Sequence, residues 1–249
     1  MRFVEKITKT IVTWLREQIE KSHTKGLLVG VSGGLDSAVV AFLIQRALPN
    51  DSLGVIMPLK SSKNDIAHAQ SVVQACNIKN MTVDLTTTHD VLFQEIKRNV
   101  QDNDWNDEKE QIADANLRAR LRMSTLYTIA TNYNYLVVGT DNAAEWFTGY
   151  FTKYGDGGVD IQPIIDLTKG EVAELARYLG VPNEVIEKKP SADLWVGQTD
   201  EAELGTSYTY IDLYLRGEKI PDKDRKIIES LHKRTEHKRQ IAPQLRLKP

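Results

Sequence analysis

Gly30-Val31-Ser32-Gly33-Gly34-Leu35-Asp36-Ser37 follows the apolar run Leu27-Leu28-Val29 and precedes Ala38-Val39-Val40-Ala41-Phe42-Leu43-Ile44. This order reads as a strand, a small-residue loop and a helix that opens on Ser37. Such a turn aims several backbone N–H groups at one spot, and the helix end adds roughly half a positive charge there. Gly33 and Gly34 put no Cβ in the way, so a phosphate chain can come close to the backbone. Ser32 and Ser37 offer hydroxyl donors. Asp36 would repel a phosphate unless a divalent cation lay between them. The stretch is neither a Walker A loop, which ends in Gly-Lys-Ser/Thr, nor GxGxxG. A plain Gly-rich strand-to-helix turn is the competing reading.

Working outward, Leu53–Pro58 and Met81–Leu85 read as further strands, with helices over 3–22, 64–76, 88–101 and 108–133. Tyr135-Leu136-Val137-Val138-Gly139-Thr140 is a continuous apolar run, as a buried parallel strand requires. Thr168–Leu179 reads as a helix closed by Gly180 and followed by Pro182. Short apolar strands alternating with helices predict an α/β fold: a doubly wound, mostly parallel sheet with helices on both faces. Ligands of such sheets sit beyond the carboxyl ends of the strands, where the loops at Ser32 and Thr140 both fall.

A chain of 249 residues with ordinary apolar content can bury a full core in one domain, or at most two. Its formal net charge of -2 provides no global basic field for nucleic acid. Cys76 is the only cysteine, which excludes an internal disulfide framework, a CxxC pair and a cysteine zinc site. No stretch is long and apolar enough for a membrane span, and Met1–Lys6 lacks the apolar core of a signal peptide. The expectation is a soluble, cytoplasmic protein with no membrane or nucleic-acid partner.

After the 135–140 strand, Thr140 can donate to a base or ribose, and Glu145 falls one helical turn further on, where it could share a magnesium ion with Asp36. Equally, Thr140 could cap a helix and Glu145 be a first-turn acid favoured by the dipole. Residues 148–160, Thr-Gly-Tyr-Phe-Thr-Lys-Tyr-Gly-Asp-Gly-Gly-Val-Asp, have neither periodicity. A loop this rich in glycine, aromatics and charge is costly to order unless it shapes a site. Lys153 suits a phosphate or carboxylate, and Tyr150, Phe151 and Tyr154 offer faces to a flat ring.

The 30–37 stretch resembles the pyrophosphatase loop of the N-type ATP pyrophosphatases, a superfamily that includes NAD synthetase, GMP synthetase, asparagine synthetase and tRNA-thiolating enzymes. Thr152–Gly157, Glu174–Gly180, Lys189–Leu194, Gly197–Glu201, Glu203–Gly205 and Glu236–Arg239 are similar, in order, to motifs of the NAD synthetases. The resemblance implies a Rossmann-like, adenine nucleotide alpha hydrolase-like fold and a single catalytic domain over residues 1–249 with no glutaminase domain. It also implies ATP-dependent amidation of deamido-NAD with ammonia through an acyl-adenylate, releasing AMP and pyrophosphate. By the same resemblance ATP is held by Gly30, Val31, Ser32, Gly33, Gly34, Leu35, Asp36, Ser37, Thr140, Lys169 and Ser191, and Mg2+ by Asp36 and Glu145. Deamido-NAD is assigned to Arg120, Lys153, Asp160, His237 and Lys238, and the family forms homodimers.

Catalysis would then rest on Asp36 and Lys169, with Asp160 as acceptor of the ammonia proton. Ser191 stands where relatives often carry Thr. On their own, Lys169 and Lys188 read as surface lysines, and Lys233–Arg239 as a solvated helix end. Lys189–Leu204 is expected to be a mobile lid, with Trp195 as its plug. The competing readings are another enzyme of the superfamily (GMP-synthetase-like or tRNA-thiolating) and a non-catalytic adenine-nucleotide sensor. A tRNA-thiolating enzyme would want a basic face and catalytic cysteines, and the charge and the single cysteine speak against both.

Overall fold

The computed structural model describes residues 2–100, 104–191, 199–245 and 247. The chain runs α1 (Arg2–Ser22), β1 (Gly26–Gly30), α2 (Leu35–Ala47), β2 (Ser52–Ile56), α3 (Lys63–Cys76), β3 (Lys79–Thr82), α4 (Thr86–Asn99), α5 (Glu110–Tyr133) and β4 (Tyr135–Val137). There follow α6 (Ala143–Thr148), α7 (Lys169–Leu179), α8 (Asn183–Ile186), α9 (Asp200–Leu204), α10 (Tyr208–Leu215), α11 (Asp222–Arg234) and α12 (Glu236–Arg239).

The four strands are parallel in the order β3-β2-β1-β4. Leu27, Leu28 and Val29 of β1 are fully buried because helices cover both faces. Strand side chains alternate between faces. Leu27 and Val29 pack with Leu15 of α1, with α2, with Val72 of α3 and with Leu175 of α7. Leu28, opposite Leu53 and Val137 in register, packs with Leu121, Leu126 and Ile129 of α5. Those three leucine and isoleucine side chains are thus spent on the core.

The α/β doubly wound reading holds, with local differences. α2 begins at Leu35 on an N-cap Gly34 rather than opening on Ser37. The third strand is Lys79–Thr82 rather than Met81–Leu85: it is a polar edge strand, paired through its backbone and lacking an apolar run. β4 stops at Val137, and Val138 makes only an isolated parallel bridge to Ile161 before the chain turns away. Thr168 is the N-cap of α7, outside the helix proper, and its hydroxyl accepts from Glu171 N–H.

The direction of winding changes at β1, whose neighbours are β2 on one side and β4 on the other. A crevice opens at the carboxyl ends of strands at such a switch point. Beside it stands a smaller apolar cluster in which Ala144 of α6 meets Leu204, Tyr208, Ile211, Ile228 and Leu231 of the C-terminal helices.

Candidate active site

The loop after β1 is held by its own hydroxyls. Ser37 Oγ accepts from Ser32 N–H at 3.2 Å and donates to Gly34 O at 3.0 Å, and Gly34 N–H donates to Ser32 Oγ at 3.2 Å. Gly33 has φ +81, and a Cβ there would lie 2.6 Å from Asp65 O and 2.9 Å from Ala69 N. Glycine is required at that point by both conformation and space. No side chain caps α2, and its N-cap Gly34 with Leu35, Asp36 and Ser37 of its first turn line the crevice, an arrangement suited to an anion.

Asp36 sits in the first turn of α2. Its Oδ2 accepts from Lys169 Nζ at 2.7 Å, and its Oδ1 from Asn142 Nδ2 at 2.9 Å. Lys169 Nζ also reaches Glu145 Oε1 at 3.1 Å. Asn142 caps α6, accepting from Ala144 and Glu145 N–H, while Glu145 Oε2 accepts from Asn142 N–H. The cap of this helix is therefore Asn142, not Thr140. Glu145 is both a capping-box acid and part of the crevice wall, so the two readings the sequence left open are compatible.

Burial raises the Glu145 carboxyl to about 7, against the pull of Lys169. Burial also works against the Lys169 ammonium, but Asp36 and Glu145 outweigh it and raise its pKa. Two carboxylates closing on one positive charge are hard oxygen donors, a donor set that would suit a divalent cation such as Mg2+. Among the described residues no group of three His, Cys, Asp or Glu is placed to hold a metal ion, so the fit is to a cation shared with a ligand.

Two adjoining cavities of about 440 and 430 Å³ share Ser32, Gly34, Ser37, Thr140 and Ser191. Asp36, Glu145 and Lys169 line the second, and Lys238 lines the first. Arg120, Lys153 and His237 form a connected set outside these walls. Arg120 Nη2 donates to Lys153 O at 3.4 Å, and Lys153 Nζ donates to the carbonyls of His237 and Gln240. Asp160 is turned to the sheet, where Oδ2 accepts from Val137 N–H at 2.8 Å and Oδ1 from Tyr127 O–H at 3.0 Å. Of the expected lid over 189–204, residues 192–198, Trp195 among them, lie outside the described residues, while Asp200–Leu204 form α9.

Several residues of the crevice escaped the sequence reading. Lys188, read as a surface lysine, lines both cavities with Nζ 2.7 Å from Asp65 Oδ1. Asp156 also lines both, and burial raises its carboxyl. Asp141 is only 4% exposed, and its Oδ2 has no hydrogen-bond partner. Burial pushes its carboxyl well up, helped by Asp156, Glu145 and Asp36. The Asn-x-x-Glu spacing of 142–145 was the one sequence signal that could have found Asn142. Cys76 is buried, and burial pushes its thiol up to about 12, so it is an inert core residue.

A family model described as NAD synthase matches residues 7–242. The chain is 58% identical over 234 residues to the NH(3)-dependent NAD(+) synthetase of Alkaliphilus metalliredigens (strain QYMF), covering 94% of this chain and 95% of that one. It is 56% identical over 241 residues to the NH(3)-dependent NAD(+) synthetase of Alkaliphilus oremlandii (strain OhILAs), covering 96% of each. A solved structure of NMN synthetase from Francisella tularensis is 36% identical, with a TM-score of 0.90 over 97% of this chain and 98% of that one. Likeness on this scale reaches from α1 into the C-terminal helices and takes in every element that borders the crevice. The chain belongs to the NAD synthase family.

Proposed function

We propose that this chain amidates the nicotinate carboxylate of deamido-NAD with ammonia, at the expense of ATP, giving NAD, AMP and pyrophosphate. The observation that carries the reading is the convergence of Asp36, Glu145 and Lys169 beside the uncapped end of α2, in a member of the NAD synthase family. A carboxylate is a poor acyl donor because oxide would have to leave, and adenylation replaces that leaving group with AMP. The first N–H groups of α2, with Ser32 and Ser37, bind the phosphates as the carboxylate attacks the α-phosphate. Lys169 neutralises charge on the departing pyrophosphate. A magnesium ion bound between Asp36 and Glu145 would neutralise phosphate charge and align the chain for in-line displacement. Thr140 and Ser191 supply hydroxyls to the nucleotide, and Arg120, Lys153, His237 and Lys238 serve the dinucleotide from the adjoining loop and C-terminal segment.

Ammonia then attacks the acyl-adenylate, AMP leaves, and one proton must go to a base. The geometry favours Asp156 over Asp160 for that proton. Asp156 lines both cavities with one oxygen held by Thr152 N–H at 2.8 Å, whereas Asp160 lines neither and has both oxygens engaged, by Val137 N–H and Tyr127 O–H. We read residues 1–249 as one catalytic unit that takes free ammonia, since the buried Cys76 is no glutaminase nucleophile. Among the described residues no helix is long and apolar enough to cross a membrane, which accords with work in the cytoplasm. A homodimer is part of the same reading: Val91 and Ile112 are 67% and 52% exposed on α4 and α5 and offer apolar area to a second copy.

Purified protein with ATP, Mg2+, ammonium and deamido-NAD should form NAD and one pyrophosphate per amide. ATP binding without pyrophosphate release would make it a nucleotide sensor instead. A second reading comes from the solved structure named an NMN synthetase, whose fold this chain follows at a TM-score of 0.90. On that reading the acceptor is the nicotinate mononucleotide, and kcat/KM for the two acceptors in competition decides between them.

A further inference from the structure

We infer that Arg239 is a positioning residue for the cation site: it closes the C-terminal end of α6 and so fixes where Glu145 stands. The inference rests on the reading of Asp36 and Glu145 as cation ligands. α6 spans only Ala143–Thr148, too short to be stable without help at both ends. Its first end is tied by Asn142, which caps the helix and donates to Asp36. At its other end Glu145 O and Trp146 O accept from the N–H groups of Tyr150 and Gly149, and the carbonyls of Phe147, Thr148 and Gly149 still need donors from elsewhere.

Those donors come from the C-terminal segment. Arg239 Nη1 donates to Trp146 O and Phe147 O, each at 3.2 Å, and its side chain is 9% exposed. Thr235 Oγ1 donates to Thr148 O at 3.1 Å and accepts from Arg239 Nη1 at 3.0 Å. Lys238 Nζ donates to Gly149 O at 2.8 Å and Phe151 O at 2.6 Å. The tie runs both ways, because Lys153 of the loop donates to the carbonyls of His237 and Gln240. At the closest point Gly149 has φ +68, and a Cβ on it would stand 2.3 Å from Thr235.

A buried cation at a helix C-terminus also complements the dipole of that helix. The planar guanidinium reaches two adjacent carbonyls while keeping its bonds to Thr235 and to Glu236. A lysine ammonium is a single point and cannot hold all four in place. The braced carbonyls lie within about one helical turn of Glu145, so motion of this corner is carried directly to its carboxylate. The motif Glu236-His237-Lys238-Arg239 thus does more than offer charge to a substrate: its last residue braces the cation ligand from behind.

The test is Mn2+ binding in the presence of ATP, followed by the spin-resonance signal of free Mn2+, for wild type, Arg239→Lys, Arg239→Ala and Thr235→Val. Losing hydrogen bonds from a charged donor should weaken Mn2+ binding of the folded protein by about tenfold in Arg239→Lys and more in Arg239→Ala. Thr235→Val, which keeps the shape and removes the hydroxyl, should move the same way by a smaller factor. If Arg239→Ala does not fold, the other two variants decide. A merely structural role would lower the melting temperature or the number of binding-competent molecules and leave the Mn2+ Kd unchanged, and that result overturns the inference. Absence of Mn2+ binding in wild type would instead sink the cation reading itself.

Discussion

Lys169 Nζ lies 2.7 Å from Asp36 Oδ2, joining residues 133 positions apart in the chain. The same ammonium reaches Glu145 Oε1 at 3.1 Å and lies 4.7 Å from the centre of the Tyr208 ring. A positive charge is therefore already collected where the proposed function puts a nucleotide-bound cation and a leaving pyrophosphate. Replacing Lys169 by Met keeps the stem and removes the charge. Loss of one such donor to a developing anion costs about 10²–10³-fold in kcat. Steady-state rates at saturating ATP, with pyrophosphate release as the readout, check this.

The Glu145 carboxyl, raised by burial to about 7 from an ordinary 4.5, makes stability depend on pH in the metal-free protein. The folded state holds this proton more tightly than the unfolded state. The contribution is full at low pH and is lost as pH rises from near the unfolded value through the folded one. Urea midpoints of metal-free protein should fall between about pH 5 and pH 8. Glu145→Gln should flatten that part of the profile, and an unchanged slope would show that Glu145 does not titrate there.

Gly33→Ala forces a side chain into a left-handed turn with backbone atoms 2.6 Å and 2.9 Å from its Cβ. Strain of about 1–3 kcal/mol is expected. In a chain of this size each kcal/mol lowers Tm by about 2–4 °C. The KM for ATP should rise as well, because the strained loop carries the phosphate donors. Calorimetry and ATP titration together check the pair of effects.

The strand–loop–helix turn after β1 was legible because everything it needs is contiguous: β1, the small residues Ser32, Gly33 and Gly34, and α2. The sheet was legible where strands are buried on both faces, as at Leu27–Val29, and poorly legible at β3, where Lys79 and Asn80 pair by backbone alone. Asp36, Glu145 and Lys169 lie on three separate helices; carboxylate chemistry alone could pair Asp36 with Glu145, and only resemblance to a family brought in Lys169. Asp141 was passed over because an aspartate in a loop gives no sign of its burial. Lysine in a loop is ambiguous in the same way: Lys153 serves backbone carbonyls of the C-terminal segment, a partner that sequence spacing does not reveal.

Asp156→Asn and Asp160→Asn should separate the two candidates for the ammonia proton. The first should spare adenylation, read as pyrophosphate exchange into ATP, and slow amide formation by about 10²-fold, the usual worth of a general base. The second should lower Tm through loss of the Val137 and Tyr127 contacts and leave the amide step near wild type. The reverse pattern would return the role to Asp160.

Cys76, with its thiol pushed up to about 12 by burial, should resist iodoacetamide in the folded protein and react promptly in urea. Ammonia-dependent activity should survive the treatment. Inactivation in step with native alkylation would contradict an inert thiol.

The most direct measurement is the fate of oxygen from the substrate carboxylate. Deamido-NAD carrying a heavy-oxygen label in its nicotinate carboxylate should pass one labelled oxygen to AMP for each NAD formed, because that oxygen becomes the bridge of the acyl-adenylate. Label in inorganic phosphate with ADP as co-product, or unlabelled AMP, would contradict adenylation at this crevice.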